Sequence, residues 1–89
     1  MRNTKEVMAV LQEECAEVIQ AVSKVNRFGL ESEWEGVSNK QSLITEIGDV
    51  IALIKVLIEE TDINISIDDV QLAVEAKLEK LEIFLPRES

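Results

Sequence analysis

The stretch LQEECAEVIQ, Leu11 to Gln20, sets three glutamates among leucine, valine, isoleucine and alanine. A second stretch, LITEIGDVIALI from Leu43 to Ile54, repeats the device with Glu46 and Asp49. Met8, Leu11, Cys15, Val18, Val22 and Val25 recur at the helical period, which predicts a first helix from about Thr4 to Arg27, ended by Gly29. The second stretch belongs to a helix from about Lys40 to Glu60. Its DVIALIKVLI segment is apolar nearly all round, as expected of a helix covered on more than one side. TDINIS breaks that pattern. Ser66 then serves as an N-cap, with Asp69 three residues on, for a third helix that runs to about Leu85 and stops before Pro86. The linker FGLESEWEGVSNK carries the only tryptophan, Trp34, and a short helical turn within Glu31–Ser38 is the one further element expected. No strand pattern and no repeat is legible. The fold class is therefore all-α, in a single domain spanning residues 1–89.

Composition narrows the chemistry. The chain has 89 residues and a net charge of −9, which argues against a nucleic-acid polymer as partner, because such a partner calls for a basic face. At 46% hydrophobic it is too apolar for disorder. There is no histidine, so any metal site must be built from carboxylates and favours hard cations such as Mg²⁺, with Mn²⁺ as a substitute. Cys15 is the single cysteine, which excludes an internal disulfide and suits a reducing compartment. No apolar run approaches the ~18 residues of a membrane span, and MRNTKEVMAV lacks the apolar core of a leader. The expectation is a cytoplasmic protein with no membrane partner.

The placement of the acids separates a solvated face from a site. Advancing about 100° per residue, Glu14 falls between Val7 and Ala21, inside the apolar arc, and Glu17 lies at its edge. Glu13 is further round, towards solvent. On the second helix Glu46 and Asp49 flank Leu53, while the polar strip lies elsewhere, at Thr45, Lys55 and Glu59. Each pair is spaced i, i+3, which puts both carboxylates on one helical face. Two such helices packed antiparallel gather four acids. Unneutralised, that is strongly unfavourable, since like charges and desolvation both oppose ionisation. Divalent cations resolve it. The alternative is that both helices rotate to expose their acids.

Cations are sparse and their positions informative. Lys77 lies on the face of the third helix that bears Val70, Val74 and Leu81, as a structural counter-ion or a phosphate ligand, with Lys80 at the edge of that face. Lys24 and Arg27 follow the acids on the first helix and are candidates for contacting phosphates. Trp34 can stack on a base or pack at a subunit interface, and Asn39 or Gln41 can read a base edge. The all-round apolar second helix, with Leu72, Ala76 and Ile83 on the third, predicts a fold completed by oligomerisation.

EECAE (Glu13–Glu17) followed by EIGD (Glu46–Asp49) resembles the EExxE…ExxD pattern of the MazG-like nucleotide pyrophosphohydrolases, all-α enzymes related to the dimeric dUTPases. The continuation AEVIQAVSKVNRFG is similar to small stand-alone members from bacteria and phages. The resemblance implies a four-helix-bundle-like core assembled as a homodimer or homotetramer. It implies that Glu14, Glu17, Glu46 and Asp49 hold Mg²⁺, with Glu13 a neighbour of the metal site or a base. It implies a nucleoside triphosphate substrate, cleaved to monophosphate and pyrophosphate in control of nucleotide pools. The alternative is a non-catalytic helical oligomer or cation-binding module that keeps the motif.

Overall fold

The computed structural model describes residues 1–88 and consists of three helices and one small hairpin. Helix α1 spans Thr4–Phe28, α2 Asn39–Glu60 and α3 Ile67–Phe84, with strands β1 (Glu33–Trp34) and β2 (Val37–Ser38) between α1 and α2. The helix ends follow local chemistry. The side chains of Asn3, Ser38 and Ser66 each accept a hydrogen bond from the backbone N–H three residues on, satisfying a donor that the first turn leaves free. Gly29 closes α1 at φ 89°, a conformation that favours glycine, and its N–H donates to the Val25 carbonyl.

α1 and α2 form an antiparallel pair fastened at both ends. At one end the Arg2 N–H donates to the Glu60 carbonyl, the Arg2 guanidinium meets the Glu60 carboxylate at 2.8 Å, and the Thr4 hydroxyl donates to Asp62. At the other end the buried Asn39 amide donates to the Gly29 carbonyl at 3.0 Å and to the Lys24 carbonyl at 3.5 Å. Backbone bonds from Asn39 to Ser32 and from Lys40 to Leu30 complete this latch. Asn39, expected as a possible reader of a base edge, thus spends its amide holding the helices together.

The seam between the two helices is regular. On α1 the residues withdrawn from solvent are Thr4, Val7, Leu11, Glu14, Val18, Ala21 and Val25, and on α2 they include Leu43, Glu46, Val50, Leu53 and Leu57. Both series alternate steps of three and four, the spacing of a coiled-coil seam. The α1 series lies partly one residue away from the expected stripe: Met8, Cys15 and Val22 are exposed, because the flanks of α1 are apolar too and periodicity alone does not choose between adjacent faces. The linker is corrected as well. It holds a two-residue hairpin, with Trp34 paired to Val37, rather than a helical turn. Glu35 and Gly36 both take positive φ, 51° and 82°, as the tight primed turn of such a hairpin requires.

α3 stands apart. It buries no residue and packs little against α1 or α2, leaving a slab with principal extents of 41 × 37 × 14 Å, about one helix thick. The radius of gyration is 16.0 Å, against about 12 Å for a compact chain of this length. Accessible surface is 7350 Å², roughly 2,100 Å² more than a folded monomer of this mass exposes. Among the described residues only Val7, Ala21 and Leu57 form a buried apolar core, each 6–7% exposed. No helix among the described residues is long and apolar enough to cross a membrane.

Because the Asn39 amide is buried and serves two carbonyls, Asn39→Ala is expected to lower stability by about 1–3 kcal/mol. Urea denaturation at one fixed protein concentration measures this; an unchanged midpoint would remove the latch from the account.

Candidate metal centre

The seam has one polar interruption, and it occurs at the same level on both helices. Glu14 of α1 and Glu46 of α2 occupy positions where the series would otherwise be apolar, and both are half-buried. Asp49 lies one turn after Glu46. Glu14, Glu46 and Asp49 each offer a carboxylate oxygen, and these oxygens lie within 4.8 Å of one another. The i, i+3 spacing on α2 supplies two of the three, and the antiparallel packing supplies the third.

The electrostatics of the cluster fall mainly on Glu14. Its carboxyl is held above the ordinary glutamate range, first by desolvation and then by the charges of Asp49, Glu46 and Glu17. Protonated Glu14 also gains a hydrogen bond to Asp49. No cation is near enough to offset this: the ion pairs among the described residues are Arg2–Glu60 and Arg87–Glu82, both remote in sequence from the cluster and exposed. The donor set is all carboxylate oxygen, with no histidine in the chain and Cys15 exposed, outside the cluster. Three crowded, mutually repelling oxygens of this kind fit a hard divalent cation.

The remaining expected residues distribute as follows. Glu17 is exposed and close enough to act on Glu14 electrostatically, but it lies outside the three-oxygen group. Glu13 is exposed beside Glu14 on α1. Arg27 lies over the ring of Phe28, 5.2 Å from its centroid. Lys24, Phe28, Trp34 and Asn39, with Ser32 and Glu33, line a cleft of about 230 Å³ between the end of α1 and the hairpin. Lys24 is ten residues past Glu14, about 15 Å along the helix axis. Lys77 and Lys80 are exposed on α3, and the single chain does not bring them to the cluster. Lys77, expected on the apolar face of the third helix as a counter-ion or a phosphate ligand, stands away from the cluster of its own chain because α3 packs little against α1 or α2. The cleft itself was not foreseen; the glycine at position 36 was the one residue that hinted at the tight turn of the hairpin that forms it.

Metal-free Glu14 binds a proton more readily in the folded chain than in the unfolded one. Wild type in chelator should therefore gain stability as pH falls through the raised folded value towards the ordinary carboxylate value, and lose it again as pH rises. Glu14→Gln should flatten that dependence and be at least as stable as wild type at neutral pH in chelator, whereas added Mg²⁺ should stabilise wild type more than the variant. Melting curves from pH 5 to 8, with chelator and with Mg²⁺, measure both effects. A variant less stable in chelator and shifted equally by Mg²⁺ would remove Glu14 from the ligand set.

Comparison with known proteins places this geometry in a family. No curated protein and no solved structure matches the chain significantly. A family model described as the MazG nucleotide pyrophosphohydrolase domain matches residues 2–82, a span that contains the whole α1–α2 pair, the carboxylate cluster and nearly all of α3. On that match, the chain belongs to the MazG nucleotide pyrophosphohydrolase domain family.

Proposed function

We propose that the chain is a Mg²⁺-dependent nucleoside triphosphate pyrophosphohydrolase that acts as a cytoplasmic homo-oligomer, either a dimer or a tetramer. The observation that carries this is the half-buried Glu14–Glu46–Asp49 cluster without a neighbouring cation, inside a chain of this family. Glu14, Glu46 and Asp49 would hold the metal, with Glu17 joining them as the fourth carboxylate. A bound divalent ion supplies charge neutralisation at the phosphates and lowers the pKa of a bound water.

The chain's own residues then divide the remaining work. Glu13, exposed beside the cluster, is assigned the proton of the attacking water. Water adds across the α–β anhydride, the bridging P–O bond breaks, and pyrophosphate leaves a nucleoside monophosphate. Lys24 and Arg27 are positioned beyond the acids on α1 to meet a polyanion that the carboxylates alone would repel. Lys77 and Lys80 extend from a helix that leaves its own α1–α2 pair, which makes them available to the site of a neighbouring subunit. Trp34 offers an exposed ring in the cleft beside Lys24 for stacking on the base. Removal of triphosphates by such a reaction is a means of controlling the nucleotide pool. The residues 1–89 act as one domain in this reading.

A panel of canonical and modified NTPs and dNTPs, assayed for pyrophosphate with Mg²⁺, Mn²⁺ or chelator, tests the proposal. Metal-dependent release of pyrophosphate and monophosphate from at least one substrate is expected. Glu46→Gln should lower kcat by about 100-fold or more, since losing even an outer partner of a metal ligand costs 10–100-fold. Nucleoside diphosphate as product would refute the reaction. Metal-dependent stabilisation with no turnover of any nucleotide would point instead to a cation-binding module.

A further inference from the structure

One face of α2 is unexplained by anything above. Ile44, Ile47, Ile51, Ile54 and Ile58 follow one another at steps of three, four, three and four, five isoleucines in one stripe. Each of these isoleucines follows directly on a residue of the Leu43, Glu46, Val50, Leu53 and Leu57 series, so at about 100° per residue the stripe lies on a neighbouring face of α2, about 100° round from the one that meets α1. Ile44, Ile47, Ile51 and Ile54 are 54%, 44%, 62% and 39% exposed. Four large apolar side chains in heptad register, left in water, are the pattern of a helix that packs on a second helix.

Gly48 adds an independent observation. It lies mid-helix, where glycine costs roughly 0.5–1 kcal/mol relative to alanine. Its φ is not positive, and a Cβ there would meet nothing within 4 Å. The isolated chain therefore gives no reason for a glycine at a position flanking the isoleucine stripe. Close approach of another chain does.

We propose that α2 packs antiparallel against α2 of a second copy, with the two-fold axis passing beside Ile51. This deepens the oligomer of the proposed function by naming its seam, and it rests on that reading. Ile51 is the midpoint of the stripe, so in this register it faces its own copy, and Ile44 faces Ile58 of the second copy. Lys55 of the second copy then lays its aliphatic stem across Gly48, filling the space that glycine leaves open. A parallel pairing would instead set Gly48 against Gly48 and Lys55 against Lys55, a gap and a like-charge contact. The area agrees: roughly 2,100 Å² of excess surface on each chain, from both helices and α3 together, falls within the 2,000–5,000 Å² range of obligate interfaces when summed over two copies. The seam is isologous, so one face satisfies both copies.

The test uses charge pairing read by sedimentation, with far-UV circular dichroism to follow folding. Wild type should sediment as a dimer or a multiple of it at micromolar concentration. Ile51→Glu and Ile51→Lys should each weaken association on the order of 100-fold or more, because each sets two like charges against one another at the axis. Mixing the two variants should restore association, and folding too if either had lost it. Ile44→Glu mixed with Ile44→Lys should not be restored, whereas Ile44→Glu mixed with Ile58→Lys should be. Single Ile51 variants that stay fully associated, or an Ile51 mixture that does not recover, would overturn the seam. Recovery of the Ile44→Glu and Ile44→Lys mixture would show a parallel pairing and overturn the antiparallel one. Pyrophosphate release by wild type is measured alongside: an active monomer sinks the seam alone, and an inactive oligomer sinks the proposed activity alone.

Discussion

Repulsion among Glu14, Glu46 and Asp49 is the constraint around which the chain is arranged. Two helices pack along a regular apolar seam, and at one level that seam is given to carboxylates whose oxygens crowd within 4.8 Å. A structure selected only for stability would place leucine or valine at Glu14 and Glu46. Desolvation leads the effects that hold the Glu14 carboxyl up, so the seam position itself, more than any single neighbouring charge, sets the cost. The latch at Asn39 and the clasp between Arg2 and Glu60 sit at opposite ends of the same pair and hold the two helices against a force that acts between them.

That cost falls on a chain with little to spend against it. Among the described residues three apolar ones are buried, two of them small or medium in size, and α3 contributes none. A short chain can bury only part of its surface, and this one keeps roughly 2,100 Å² exposed beyond the expected amount. Both deficits have the same kind of remedy, a species that binds the native state and not the unfolded one. In the proposed function a divalent cation relieves the seam, and in the proposed pairing a second copy covers the isoleucine face of α2.

Much of this was legible in residues alone, and the reasons are local. Helix ends followed from Gly29 and Ser66, whose roles depend on backbone φ and a single hydroxyl. The inward direction of Glu14 and Glu46 followed from the helical period, because flanking Val7, Ala21, Leu53 and Leu57 left no other face for them. Three things were not legible. The seam on α1 runs through Val7 and Ala21 instead of Met8 and Val22, since both stripes are apolar and only the position of α2 decides between them. The hairpin at Glu33–Ser38 is two residues per strand, too short for alternation to register. And the apolar face of α3 reads the same whether its cover comes from its own chain or from another, so the period alone did not show that Lys77 stands away from the cluster of its own chain.

The two faces of α2 connect the remaining points. The α1 seam with Glu46 and the isoleucine stripe occupy adjacent faces, about 100° apart, so the residues that define the site and those that define the proposed oligomer share a single backbone. Asp49 is next to Gly48 and two residues from Ile51. A helix carrying a mid-helix glycine there is intrinsically weaker at the level of the cluster than elsewhere. In the isolated chain, the repulsion of the acids acts on that weak point with α1 on one face and water on the next. Packing the stripe against a second copy braces the same turn from outside. Under that proposal the spacing of the carboxylates depends on contacts made on a neighbouring face of the helix, at residues that touch neither metal nor substrate. Under the proposed architecture, association contributes to metal affinity, and by linkage the metal contributes equally to association.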